Sequence, residues 1–141
     1  MDVKANLNTI LQSIPKEVTL VAASKTRQNS AIIEAYQLGQ RIFGENKVQE
    51  LVQKFEELPK DINWHMIGHL QTNKVKFIAP FVSLIHGVDS IKLLKEINKR
   101  AKQNNRVIDC LLQVHIATES TKFGFDIPKV NEAIDSANEY S

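Results

Sequence analysis

Residues 41–68 read RIFGENKVQELVQKFEELPKDINWHMIG. The opening RIFG (41–44) is a short strand pattern. NKVQELVQKFEEL (46–58) then places Val48, Leu51, Val52 and Phe55 on one face, the spacing of an amphipathic helix. NWHMIG (63–68) returns to a strand. A strand, a helix and a second strand joined this closely form a βαβ unit.

The same alternation extends in both directions. Towards the N-terminus, VTLVAAS (18–24) is apolar and rich in small and β-branched residues, the pattern of a strand buried on both faces in a parallel sheet. SAIIEAYQL (30–38) is helical, with Ser30 placed to cap it and Gly39 to stop it. Val3, Leu7, Ile10 and Leu11 predict an amphipathic helix over 2–13 that Pro15 ends. Towards the C-terminus, NKVKFIAP (73–80) is a short helix and VSLIHGV (82–88) a fourth strand. DSIKLLKEINKRAKQN (89–104) is a helix with Ile91, Leu94, Ile97 and Ala101 inward and Lys92, Lys95, Lys99 and Lys102 outward. IDCLLQVHI (108–116) is a fifth strand and 128–139 a further helix.

Two parallel-sheet architectures fit this order: an open doubly wound sheet, or consecutive units of a (β/α)₈ barrel. A doubly wound nucleotide binder usually carries glycines in the turn after its first strand. Here that turn is Ser24-Lys25-Thr26-Arg27. Polar residues instead fall at successive strand ends: Lys25, Glu45 and Asn46, His69, Asp89, Thr118 and Glu119. In a barrel these would ring the C-terminal mouth, where sites are built. The fold expected is α/β with a parallel sheet; the glycine-free turn disfavours the nucleotide-binding version but leaves doubly wound folds in general open beside a parallel (β/α) barrel of the TIM type. Read as a barrel, the chain would be an incomplete one of about five βα units in one domain over residues 1–141.

Composition narrows the function classes. The chain has 141 residues, 43% hydrophobic and 24% charged, which supports a packed core and excludes wholesale disorder. A net charge of +2 gives no basis for nucleic-acid or membrane-surface binding. The lysines of 89–104 are interrupted by Glu96 and lack interleaved aromatic residues, so they read as a solvated face. No apolar run approaches a membrane span, and no signal-peptide pattern opens the chain, so a cytoplasmic location is expected. Cys110 is the only cysteine; it fits a reducing compartment and reads as a small core residue rather than a nucleophile.

Lys25 is the sharpest candidate for chemistry. Thr19, Val21, Ala23 and Lys25 share one strand face, and the small side chains leave room beside the lysine for a flat ligand. A desolvated amine there would be a nucleophile suited to Schiff-base formation; a solvated loop lysine is the alternative. Asn46 could cap the helix that follows it or bond a ligand's ring substituent. His65, His69, His86 and His115, with Asp89 or Glu45, leave open a metal-dependent hydrolase, although no two histidines have ligand spacing within one element.

Five segments then stand in order: VAASKT (21–26), FGENKVQE (43–50), WHMIGHLQTNK (64–74), LIHGVDS (84–90) and QVHIATESTKFG (113–124). Together they resemble the pyridoxal phosphate homeostasis family, whose members are similar to the N-terminal barrel of alanine racemase. The resemblance implies binding of pyridoxal 5′-phosphate (PLP) as an internal aldimine on Lys25. It places Asn46 near the pyridine ring, His65 and Gly68 on a strand lining the interior, and Lys122 on a loop near the mouth. It implies a role in intracellular PLP homeostasis without turnover, and PLP-accepting apoenzymes as partners. A PLP-dependent racemase or decarboxylase is the rival. Racemases of this fold use a second acid/base, commonly a tyrosine, and neither Tyr36 nor Tyr140 lies in a strand-end motif. Relatives often carry lysine where this chain has Arg27. The family's late phosphate-binding loops have no counterpart before Ser141, so the sequence resembles an N-terminal portion. Open strand edges in such a portion would favour self-association.

Overall fold

In the computed structural model, residues 2–116, 124–126 and 129–139 are described. The elements run α1 (Val3–Ser13), β1 (Ala22–Ala23), α2 (Asn29–Gln37), β2 (Ile42–Glu45), α3 (Val48–Glu57) and β3 (Asn63–Met66). A 3₁₀ turn (Thr72–Lys74) leads into α4 (Val75–Ile78), then β4 (Leu84–Val88), α5 (Ile91–Gln103) and β5 (Asp109–Leu112). β6 (Val114–His115), β7 (Phe125–Asp126) and α6 (Val130–Asn138) complete the order.

Strands β1 to β5 form one sheet in the order 1-2-3-4-5, and every pairing is parallel. Sequential order is the barrel arrangement; a doubly wound sheet reverses direction part-way. The sheet's two faces differ sharply. Phe43, Trp64, Met66 and Ile85 are buried on one face, in a core shared with Ile32, Leu51, Val75, Ile78, Leu93 and Ile97 of the helices. Each large side chain buried this way contributes ~1.5–3 kcal/mol. On the other face Ala23, Asp109 and Leu111 are exposed, and Ile67, Leu84 and His86 half-buried. The helices thus cover the convex face, and the concave face is open among the described residues.

Several local expectations change. The first strand pairs only over Ala22–Ala23 instead of 18–24, and Val18 is exposed. Among the described residues it is an edge strand with only β2 beside it, and their paired register is Ala22 with Phe43 and Ala23 with Gly44. Ser30 does not cap α2, which begins at Asn29 after Gln28 and has no side-chain cap. Asn46 does not cap α3 either; Lys47 holds that position. Among the described residues the side-chain caps that form are Asp2, accepting from the Ala5 amide at 3.0 Å, and Ser90, accepting from the Leu93 amide at 3.1 Å. Residues 108–116 are not one strand. The ladder shifts register between Ile85 and Val88, and Gln113 separates β5 from β6, which pairs in parallel with β7. The Gln113 amide still reaches the Val88 carbonyl at 2.8 Å.

Candidate functional site

The register aligns one row across the concave face: Ala23, Gly44, His65, Leu84 and Asp109. Gly44 is not an open slot in that row. A Cβ there would lie 2.8 Å from Ile67 Cγ2 and 3.1 Å from Val21 Cγ1, so the two side chains close over the glycine. Val21, Ile67 and the exposed Ala23 therefore form an apolar floor below the strand ends. The room expected beside Lys25 lies over Ala23 and not over Gly44.

Lys25 follows this floor directly. Ser24 is buried towards α3, and exposed Lys25 follows it in the turn that leaves β1. Lys25 is exposed, and the desolvation expected from sequence is not supplied by the described residues. The reason is geometric: among the described residues β1 is an edge of the sheet, with β2 its only neighbour there.

Below Lys25 lies a charged network that the sequence reading missed. Glu45, at the end of β2, is fully buried on the helix-facing side instead of pointing to the mouth. Its Oε2 accepts hydrogen bonds from Ser24 Oγ and from Lys54 Nζ, the latter at 2.9 Å. Lys54 Nζ also donates to the Ser24 carbonyl at 2.6 Å and to Glu50 Oε1 at 2.8 Å. Glu50 Oε1 in turn accepts the Thr26 amide at 2.6 Å. Burial pushes the Glu45 carboxyl up, against the downward pull of Ser24 and Lys54. The Lys54 ammonium holds Glu50 below the usual carboxylate range. Glu45 Oε1 is buried without a hydrogen-bond partner. A signal was present in the sequence: Lys54 follows Leu51 by three residues, on the apolar stripe of α3.

Asn46 and Gly68 are brought together backbone to backbone. A Cβ on Gly68 would meet Asn46 O at 2.5 Å and Asn46 Cα at 2.8 Å. Gly68 is thus a close-approach residue that lets the ends of β2 and β3 pack, with half-buried Asn46 held against it. Gly68→Ala should cost about 1–3 kcal/mol, because backbone cannot move aside as a flexible side chain can. Urea denaturation measures this directly, and an unchanged midpoint would mean that the strand ends separate freely.

His65 and His86 meet on the concave face, with Nδ1 and Nε2 3.0 Å apart. Burial lowers the pKa of both rings, and His86 lowers that of His65 further. Each folded-state value lies below the ordinary 6.5, so the folded protein binds fewer protons than the unfolded chain in that window. Stability from this pair is present above pH 6.5 and is lost as pH falls through the folded values. NMR titration should give both rings midpoints below 6.5, with the melting temperature declining over the same range. A midpoint above 6.5 for either ring would show that the pair carries a proton when folded.

His69 Nδ1 lies 3.3 Å from Asp89 Oδ2 at the ends of β3 and β4. Among the described residues no group of three His, Cys, Asp or Glu side chains is placed to hold a metal ion. Burial, with Asp109 nearby, raises the Cys110 thiol to about 11, so it is inert at neutral pH. Lys122, Thr118 and Glu119 lie outside the described residues.

The sequence matches the model of the alanine racemase N-terminal domain family over residues 2–141. It is 46% identical over 114 residues to the pyridoxal phosphate homeostasis protein of Aquifex aeolicus, covering 80% of this chain and 50% of that protein. The structure superposes on PipY of Synechococcus elongatus, solved without PLP, with a TM-score of 0.94 and 33% identity. That match covers 99% of this chain and 66% of PipY. For PipY with PLP bound, the TM-score is 0.90 at 32% identity, with the same coverage. The chain spans about half the length of the curated relatives it matches. Five parallel strands in sequential order, a helix-covered convex face and these matches give one conclusion: the chain belongs to the alanine racemase N-terminal domain family.

Proposed function

We propose that this chain carries the lysine-bearing part of a PLP site, with Lys25 as the capturing amine, and serves to hold and deliver the cofactor. The observation that carries the reading is that exposed Lys25 opens the turn directly after β1, next in sequence to the strand that supplies Val21 and Ala23 to the apolar floor. The PLP-bound structure of PipY, 32% identical, supports it. The residues present fit the ring-bearing part of the ligand. The floor offers an apolar face to a flat ring, and Asn46, fixed by Gly68, offers a polar edge. When bound, PLP supplies an aldehyde that a primary amine captures with loss of one water. The chain's own part is to present Lys25, to keep Asn46 at the strand ends, and to hold His65 neutral beneath them.

Delivery without turnover is the reading favoured for the whole protein. Tyr36 lies on α2, away from the strand ends, and donates to Asp61 Oδ1 at 2.6 Å. That bond and the charge on Asp61 raise the pKa of Tyr36 further. PLP-accepting apoenzymes are the partners this role requires. No helix among the described residues is long and apolar enough to cross a membrane, which is compatible with a cytoplasmic site of action. The open concave face and the exposed Leu111 and Ile116 favour self-association of this chain, and light scattering should report a mass above 16.0 kDa.

The test is a titration with PLP, followed by absorption and by incubation with free amino acids. A saturable lysine adduct with no amino-acid turnover supports holding and delivery. Racemisation or decarboxylation at enzymatic rates would favour the rival reading, and no adduct at all would refute both.

A further inference from the structure

Thr26 has φ +61°, a left-handed backbone that a β-branched residue rarely adopts. Such a conformation persists only where the surroundings over-determine it, and it is a pointer to function when it adjoins a reactive side chain. Here it adjoins Lys25, and the surroundings are identifiable. The peptide group before Lys25 is held through the Ser24 carbonyl by Lys54, and the amide after it, that of Thr26, by Glu50. The Ser24 amide continues the ladder to the Gly44 carbonyl at 3.0 Å, and the Ser24 hydroxyl bonds Glu45. The anchors come from β2 and α3, and none of them is a neighbour of Lys25 in sequence.

We propose that Glu50 and Lys54 of α3, seated on the buried Glu45, are positioning residues that fix both peptide groups flanking Lys25 and so aim its amine across the apolar floor. This rests on the reading of Lys25 as the capturing amine. Neither residue touches the ligand in this scheme. Their effect is to spare Lys25 the ordering that a free loop would undergo on capture. The arrangement also explains why two acids and a lysine occupy a site on the convex side, away from any ligand. The single charge of Lys54 is shared by both carboxylates, and each bond it makes ends on or next to the Ser24–Thr26 segment.

The experiment uses this chain with Glu50→Ala, which removes the acceptor of the Thr26 amide, and Glu50→Gln, which keeps an oxygen there. Gln53→Ala, one turn along α3 and bonded to Glu57, serves as control. In ligand-free protein, Thr26 amide hydrogen exchange should accelerate at least ~10-fold in Glu50→Ala, with Glu50→Gln and Gln53→Ala close to wild type. PLP affinity should fall about 10-fold in Glu50→Ala and recover in Glu50→Gln. If Glu50→Ala does not fold, Glu50→Asp, shorter by one methylene, carries the same two expectations. Unchanged exchange at Thr26 would overturn the positioning role whatever PLP does. Faster exchange with unaltered PLP affinity would overturn it as well, reducing the network to a structural one. Absence of PLP capture by wild type would instead sink the reading of Lys25, and exchange at Thr26 would still report whether α3 fixes the segment.

Discussion

Lys25→Ala should abolish covalent capture of PLP while leaving the protein folded. The side chain is exposed at the end of a two-residue edge strand and takes no part in the buried core. Its removal should therefore shift stability by no more than about 0.5 kcal/mol, the usual range for surface changes. The loss of capture, by contrast, should be complete, since the amine that condenses with the aldehyde is gone. Other lysines are numerous, but those on α5 face outward, away from the apolar floor. The check is the absorption change at saturating PLP, read beside the thermal melt of the same sample. A full-sized absorption change in the variant would move the reactive amine elsewhere.

Lys54→Met should produce the largest loss of stability among the charged residues of the network. Lys54 is 5% exposed and Glu45 0% exposed, and the variant leaves the Glu45 carboxyl in the core with the Ser24 hydroxyl alone. Removing one partner of a buried pair costs ~3–5 kcal/mol, mostly as the penalty of the charge left behind. The deficit should depend on pH. Burial already raises Glu45 above the ordinary carboxyl value of 4.5, and loss of Lys54 removes part of what opposes that rise. A raised carboxyl means that the folded state holds a proton the unfolded state has released, so its stability falls as pH rises above 4.5. Urea denaturation should therefore show a smaller deficit at pH 5 than at pH 8. An equal deficit at both would mean that packing of the lysine stem, not charge, sets the cost.

The fold was legible because its signal is repetitive. RIFG, NWHMIG and VSLIHGV are short strand patterns at regular spacing, and the helices between them carry apolar stripes. That is enough to order the strands, and the observed 1-2-3-4-5 order follows. What the pattern could not convey is pairing length. VTLVAAS is apolar throughout, yet only Ala22 and Ala23 find partners, because pairing depends on the neighbouring strand as well as on composition. The break at Gln113 was hidden for a similar reason: the register shift that precedes it lies in the β4–β5 ladder, between Ile85 and Val88.

The site was legible only in part. Lys25, Asn46 and Gly68 sit at strand ends, and strand ends can be counted along a sequence. Gly68 was singled out by resemblance, and its role as a contact against Asn46 needed coordinates. Glu45 was read as a mouth residue because it ends a strand, but one position decides the face. It shares the face of Phe43, which is core, so its carboxyl enters the helix layer and meets Lys54. Glu50 and Lys54 form an i,i+4 pair of a kind common on solvent-facing helices, and the one local hint that it turns inward is the three-residue step from Leu51 to Lys54 along the apolar stripe. His65 and His86 are 21 residues apart and become neighbours only through parallel pairing of β3 with β4.

The most direct test of the central claim is to incubate the protein with PLP, reduce it with borohydride, digest it and locate the modified lysine by peptide mass. The structure predicts a stoichiometric adduct on the peptide containing Ser24-Lys25-Thr26, lost in Lys25→Ala. A stoichiometric adduct on any other lysine, with Lys25 unmodified, would contradict it.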